Sequence, residues 1–165
     1  MTALLRMGGI LAAALGVWLV IAAQLPSHVR LPLSGIVDRA VITQPFGCTA
    51  LQLEPYDPFC PSRHVHTGID LAAPMGREVH SATSGTVSLG FDPRGAGVYV
   101  VVTVDPHVRI FYCHLSAVRV TGGAAVQPGQ VIGLVGSTGL ATGPHVHFEV
   151  QVNGSPVDPS AWLAS

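Results

Sequence analysis

The chain has 165 residues, which is enough for one domain and too few for two of ordinary size. All eight of its basic residues are arginines, and a formal net charge of −1 excludes a basic nucleic-acid-binding surface and an acidic tail. Nineteen glycines and thirteen prolines predict many turns, and therefore short strands rather than long helices.

The first 25 residues are predicted to lie outside the fold. Arg6 precedes an apolar run over residues 7–23, which is typical of a signal peptide or a transmembrane anchor. The 17 residues of this run just reach the ~17–25 that a spanning helix needs, which favours an uncleaved anchor in contact with the membrane. In both cases the rest of the chain is expected outside the cytoplasm, membrane-anchored or secreted. Residues 26–35 are interpreted as a linker, and the domain is expected to occupy residues 36–165.

Cysteine usage agrees with export. Cys48 and Cys60 bracket a short loop that is rich in proline and acidic residues, and an oxidising compartment favours a disulfide between them. The alternatives are two unpaired thiols or a cysteine-based zinc site, for which a Cys-x-x-Cys pair is missing. Cys113 is then left free. Because side chains alternate along a strand, Cys113 is expected in the core and the adjacent His114 outside it, which argues against a Cys-His nucleophile.

The region from residue 36 onward consists of β-branched runs separated by glycine and proline, with no convincing amphipathic helix. The runs 98–104 and 108–114 flank the segment 105–107, which predicts a hairpin. About ten such strands around one apolar core predict an all-β domain of two packed sheets.

The segment from residue 143 to residue 150 alternates polar and apolar residues, as a half-buried strand does. Its apolar residues are expected to face the core, and the polar residues that face the other way are His145, His147 and Glu149. Two histidines on one face form half of a metal site. The alternative is a pair of surface histidines.

A second polar cluster offers the missing half. His66 and Asp70 are four residues apart, and on a regular strand they would lie ~13 Å from each other. They converge only if the chain curls between them, which Gly68 permits; otherwise they are unrelated loop residues. Catalytic zinc takes three protein ligands and leaves one position open. The third ligand is then His145 or His147, and spacing alone does not choose between them.

His114 ends a predicted strand and is the remaining candidate for a second proton carrier or oxyanion donor. Four segments now stand in one order along the chain, at residues 66–70, 112–116, 136–139 and 143–149. This combination resembles the lysostaphin-type (LytM-like) zinc endopeptidases, which cut peptide cross-links in bacterial peptidoglycan. The resemblance covers residues 36–163.

The resemblance implies an antiparallel β-sandwich (LytM-like, duplicated hybrid motif) with a groove across the site. It implies one zinc ion per chain bound by His66, Asp70 and His147, with His114 and His145 as the catalytic histidines and a peptidoglycan peptide as substrate. The alternative is a catalytically inactive domain that binds peptidoglycan or regulates other hydrolases. All five residues are present, which favours the enzyme. The bond that is cut and the oligomeric state stay open.

Four positions qualify this resemblance. Cys48 stands where family members often have an arginine, and Tyr56 is a weak candidate for a tyrosine that steadies the transition state in some members. His64 is expected to line the groove, and the alternative is a spare metal ligand. Glu149 is either a second-shell partner of a ligand histidine or a plain exposed carboxylate.

Overall fold

The structure is a computed structural model and describes residues 29–165. The predicted signal peptide or anchor at residues 1–25 lies outside the described residues. Among the two helices within residues 29–165, neither has the length and apolar character that crossing a bilayer requires.

The described chain forms short strands with one short helix at each end. The strands are β1 (Val41–Gln44), β2 (Gly47–Thr49), β3 (His64–His66), β4 (Ile69–Ala72), β5 (Glu78–His80), β6 (Gly85–Asp92), β7 (Gly97–Thr103), β8 (Val108–Leu115), β9 (Ala117–Val118), β10 (Ala125–Val126), β11 (Val131–Leu134), β12 (His145–Val152) and β13 (Ser155–Val157). The helices are α1 (Leu33–Ile36) and α2 (Pro159–Ala164). Helix α2 was not predicted; it starts where the Asp158 side chain accepts a hydrogen bond from the backbone N–H of Ser160, with proline at its first position.

The strands form antiparallel sheets. The largest has eight strands in the order β1-β4-β12-β8-β7-β6-β10, with β13 added beside β12. A three-stranded sheet has the order β5-β11-β9, and β2 pairs with β3. This arrangement confirms the predicted all-β domain of antiparallel sheets and the predicted hairpin, which is β7 and β8.

One core joins the two larger sheets. The apolar side of β12 is fully buried there, as predicted, through Val146, Phe148 and Val150. Tyr112 of β8 and Ile132 of β11 belong to the same cluster. With its apolar side fixed in this core, β12 must present its polar side to the opposite face of the sheet.

The predicted disulfide between Cys48 and Cys60 is present, and Cys113 is free. The disulfide closes a loop that starts at β2 and returns to β3. The backbone N–H of Val65 in β3 donates to the carbonyl of Pro55 at 3.0 Å, which ties the middle of the loop to the sheet. The bridge and this bond together hold the loop beside the polar face of β4.

The described part of the stretch interpreted as a linker lies against the domain. The Arg30 guanidinium stacks on the Trp162 ring at 3.9 Å from its centroid. The backbone N–H of Leu31 donates to the carbonyl of Ala82 at 2.8 Å, and Ile36 in α1 is fully buried.

Candidate metal centre

The polar face of β12 forms the floor of a groove. His145, His147 and Glu149 all point into it, as the alternation predicts. Strand β4 pairs with β12 in a register that sets Asp70 opposite His147. The groove has two walls, and their residues are Gln44, Leu51 and 53–55 on one side and 94–96, Leu140 and Thr142 on the other.

The chain bends between β3 and β4, and this bend brings His66 and Asp70 together. Their Nε2 and Oδ1 atoms are 3.1 Å apart, so the predicted curl is confirmed. The predicted reason for the glycine is wrong, because Gly68 is not among the residues with positive φ. Glycine is required there by close packing: a Cβ atom would lie 2.6 Å from the carbonyl oxygen of Phe148 and 2.8 Å from the His147 ring.

Three donor atoms converge at one point. His66 Nε2 is 3.1 Å from Asp70 Oδ1 and 3.0 Å from His147 Nδ1, and the latter two atoms are 3.2 Å apart. A tetrahedral zinc ion with bonds of about 2.0–2.1 Å needs donors that are separated by about 3.3 Å. The three groups therefore fit one zinc ion.

In the neutral form of both histidines, their hydrogen bonds leave the converging nitrogens unprotonated. His66 Nδ1 is 2.9 Å from the carbonyl oxygen of Pro45; since a carbonyl only accepts, Nδ1 carries the proton and Nε2 has the free lone pair. His147 Nε2 is 3.4 Å from Glu149 Oε2, so its proton lies on that side and Nδ1 is free. Metal-binding histidines typically have such partners.

Glu149 is a partner of a candidate ligand, and its interpretation as a plain exposed carboxylate is wrong. Besides His147, it accepts hydrogen bonds from the Thr67 hydroxyl and the Gln151 amide. Burial raises the pKa of Glu149, but these three hydrogen bonds outweigh burial and lower it below its usual range. Glu149 is therefore a fixed negative charge behind His147.

Hydrogen bonding also overrides burial at the two donors that face each other. Burial raises the pKa of Asp70, but hydrogen bonds with His147 and His66 hold it well below its ordinary value. Burial lowers the pKa of His147, but hydrogen bonds to Asp70 and Glu149 raise it to about 9. Without a metal, the His147 ring thus holds a positive charge between two carboxylates, and a proton on its Nδ1 competes with the candidate metal.

Two further histidines stand beside the three donors. His145 Nδ1 donates to the carbonyl of Gly143 at 2.8 Å, and its Nε2 is 3.7 Å from Asp70 Oδ1. His114 Nδ1 donates to the carbonyl of Thr138 at 2.8 Å. The two rings lie 4.7 Å apart by their centroids. Burial, which outweighs the bond to Thr138, lowers the pKa of His114 to about 4. His114 is therefore neutral near pH 7, with Nε2 able to accept a proton.

The predicted alternation fails at Cys113 and His114. Val98 pairs with Leu115 and Val100 with Tyr112, so two residues of β8 stand opposite one residue of β7. This is a β-bulge, and His114 has the positive φ of 63° that such a bulge permits. Cys113 consequently lies beside His147 on the groove face rather than in the core, and His114 also reaches the groove.

The thiol of Cys113 is only 5% exposed, and burial raises its pKa far above the usual range. A Cys-His nucleophile remains disfavoured for this reason, although both side chains line the groove.

Sequence reasoning missed Glu54 and misplaced two neighbours. Glu54 Oε1 accepts from Gln44 Nε2 at 3.0 Å and lies 4.0 Å from His66 Nε2, so the disulfide-closed loop adds a carboxylate to the site. The sequence feature that could have indicated Glu54 is its position in an acidic loop shortly before His64 and His66. His64 does not line the groove; its Nδ1 donates to the backbone carbonyl of Glu54 at 2.7 Å. Tyr56 is 64% exposed and lies outside the groove.

The residues of this site lie in a region that matches a known protein family. Residues 64–159, which contain every donor described above, match the model of peptidase family M23. The chain belongs to peptidase family M23. The resemblance to lysostaphin-type enzymes is thereby confirmed. The catalytic domain of lysostaphin from Staphylococcus simulans superposes on this M23 chain with a TM-score of 0.63 and 31% identity, over 76% of this chain and 93% of that domain.

Two named relatives of this M23 chain come from Neisseria and Vibrio. The DD-carboxypeptidase/endopeptidase Mpg of Neisseria meningitidis serogroup B is 40% identical over 118 residues, which are 72% of this chain and 26% of the relative. The peptidoglycan DD-endopeptidase ShyA of Vibrio cholerae is 42% identical over 93 residues, 56% of this chain and 22% of the relative. The match thus spans about a quarter of the length of these curated relatives.

Proposed function

We propose that this chain is a zinc-dependent endopeptidase that hydrolyses peptide cross-links or stem peptides of bacterial peptidoglycan. The observation that carries the proposal is the convergence of His66 Nε2, Asp70 Oδ1 and His147 Nδ1 within 3.2 Å of one another. Membership of family M23 and the names of the two relatives support the reaction and the substrate class.

His66, Asp70 and His147 would hold one zinc ion, with two neutral imidazoles and one ionised carboxylate as ligands. Zinc in such a site polarises a carbonyl and lowers the pKa of a water molecule to about 7. The chain itself fixes the ligand tautomers through the carbonyl of Pro45 and the carboxylate of Glu149. These partners place the proton of each neutral ring on the far nitrogen, so both ligand nitrogens are aimed at one point.

His145 and His114 are the proton carriers in this proposal. Each uses Nδ1–H to anchor its ring on a backbone carbonyl, so Nε2 is the atom that exchanges protons. Burial lowers the pKa of His114 to about 4. A proton that His114 accepts is therefore readily released again. His145 Nε2 lies 3.7 Å from Asp70 Oδ1 and would pass a proton to the leaving amine.

The chain is proposed to act in the cell envelope. The disulfide between Cys48 and Cys60 supports a location outside the cytoplasm, where such bonds persist. Membrane anchoring rests on the apolar run at residues 7–23 of the sequence alone. The alternative of an inactive binding or regulatory domain is not favoured, because all five proposed site residues are present and lie together.

Zinc content and cleavage of purified peptidoglycan, measured in parallel, test the role of each histidine. Wild-type protein is expected to bind one zinc ion and to release fragments that mass spectrometry identifies as cut at a peptide bond. His147→Ala removes a ligand and is expected to lose both zinc and activity. His145→Ala and His114→Ala keep all three ligands, so they are expected to keep zinc and to lose about 10²–10⁴-fold in rate.

Two results would contradict this assignment. Loss of zinc in His145→Ala, together with its retention in His147→Ala, would reverse the roles of the two histidines. Full activity with bound zinc in both variants would place the site elsewhere.

A further inference from the structure

The two walls of the groove differ in charge. In the eight-stranded sheet β12 and β8 lie in the middle, with β4 and β1 on one side and β7 and β6 on the other. The disulfide-closed loop, on the side of β4, contributes the carboxylate of Glu54. The turn between β6 and β7, residues 93–96, belongs to the opposite wall and contributes Arg94.

The turn that carries Arg94 is fixed to the site. The backbone N–H of His114 donates to the carbonyl of Ala96 at 2.8 Å, and that of Leu140 donates to the carbonyl of Gly95 at 2.8 Å. A Cβ atom on Gly139 would lie 2.3 Å from the Gly95 carbonyl oxygen, so the two segments are in close contact. Arg94 is therefore two residues away from Ala96, which is hydrogen-bonded directly to the proposed proton carrier His114.

Arg94 is the only lysine or arginine among the described residues that line the groove. The groove carboxylates have partners of their own: Gln44 binds Glu54, and histidines bind the other two. Within residues 29–165 the Arg94 guanidinium forms no ion pair; the arginines that do are Arg39 and Arg77. A permanent positive charge thus belongs to the groove wall without a carboxylate partner in the described part of the chain.

We propose that Arg94 binds a carboxylate of the peptide substrate close to the scissile bond. In a cross-link that runs through a diamino acid, the enzyme then prefers a diamino acid with a free carboxylate over one in which that group is amidated. The planar fork of arginine binds a carboxylate through two parallel hydrogen bonds, whereas a carboxamide offers one acceptor and no charge. Arg94 is a specificity-determining residue here and does not act on the reacting atoms. This inference rests on the proposed function and narrows its substrate class.

Two synthetic cross-linked peptide dimers test the proposal. They are identical except that the diamino acid at the scissile bond carries a free carboxylate in one and a carboxamide in the other. Cleavage of each by the zinc-loaded protein is followed by mass spectrometry to give kcat/KM. Since Arg94 is exposed, we expect wild-type protein to prefer the free carboxylate by roughly 1.5- to 5-fold, the range of a solvent-accessible ion pair.

Arg94→Gln is expected to lose this preference because kcat/KM falls for the carboxylate dimer and stays unchanged for the amidated dimer. Arg119→Gln is the matched control: Arg119 is also exposed but does not line the groove, so the preference should persist. Zinc content should be equal in all three proteins.

Equal cleavage of both dimers by wild-type protein would overturn the role of Arg94 and leave the proposed function standing, as would an undiminished preference in Arg94→Gln. If neither dimer is cleaved, the proposed function fails for these cross-links, and calorimetric titration of the zinc-loaded protein with both dimers decides the inference. Tighter binding of the carboxylate dimer that disappears in Arg94→Gln supports it, and equal binding overturns it.

Discussion

The substitution Glu149→Gln tests how much zinc affinity depends on the hydrogen-bond partner of the proposed ligand His147. The Glu149 carboxylate accepts from three donors: His147 Nε2 at 3.4 Å, the Thr67 hydroxyl and the Gln151 amide. Glutamine has nearly the same size but only one acceptor oxygen, and its NH₂ group must face one of these donors. The substitution removes the negative charge that fixes the His147 tautomer. Loss of such a partner costs about 10–100-fold in metal affinity, and the 3.4 Å separation argues for the lower end, about 10-fold or 1.4 kcal/mol.

The assay is competition for zinc between the protein and a chromophoric chelator, at pH 7 and above pH 9. Protons compete with zinc for His147, whose pKa is raised to about 9 in part by Glu149. Glu149→Gln relieves some of this competition at pH 7, which partly offsets the weaker binding, so the full loss is expected only at the higher pH. Gln151→Ala is the control, because it removes a neighbour of the carboxylate without touching His147. Unchanged zinc affinity of Glu149→Gln at both pH values would refute the reasoning.

The remaining predictions concern the loop, the close contact and the N-terminal segment. Replacing Cys48 and Cys60 together by alanine should lower the free energy of unfolding, measured with urea, by about 3 kcal/mol. The wild-type protein, denatured without reduction, should show one reactive thiol. Three thiols would contradict the bridge. Gly68→Ala should cost about 1–3 kcal/mol and weaken zinc binding, because the new methyl group meets the His147 ring, while Gly143→Ala, which has open space, should not. If residues 7–23 are an anchor, the full chain should stay with membranes after a high-salt wash; a soluble form that starts near residue 24 would instead show cleavage.

The sequence predicted those parts of the structure in which side chains alternate regularly along a strand. The burial of Val146, Phe148 and Val150 follows from their period of two, and so does the placement of His145 and His147 on the opposite face. The choice of His147 as third ligand came from the resemblance, because two histidines on one face are equivalent in a pattern. The structure distinguishes them: only His147 lies opposite Asp70 with a carboxylate behind it.

Irregular features were not predictable in the same way. Nothing in the residues around Cys113 marks a bulge, since its cause is the pairing of β8 with a strand distant in sequence. Likewise, the contact between Glu54 and His66 depends on how a disulfide folds a loop back over the sheet. The need for Gly68 was correctly seen, but its reason lies in β12, which approaches from 80 residues further along the chain.

The bulge in β8 has a consequence for how this strand tolerates change. Tyr112 and Leu115 are both fully buried although three positions separate them, an odd number that a regular strand would send to opposite faces. The extra residue changes the alternation of side chains at this point of β8. Cys113 and His114 therefore both face the groove, while the residues on either side of them stay in the core. Removing a single residue here would put Leu115 in the groove or pull His114 out of it. A substitution at Cys113 is therefore far safer than a deletion, because the count of residues between Tyr112 and Leu115 matters more than their identity.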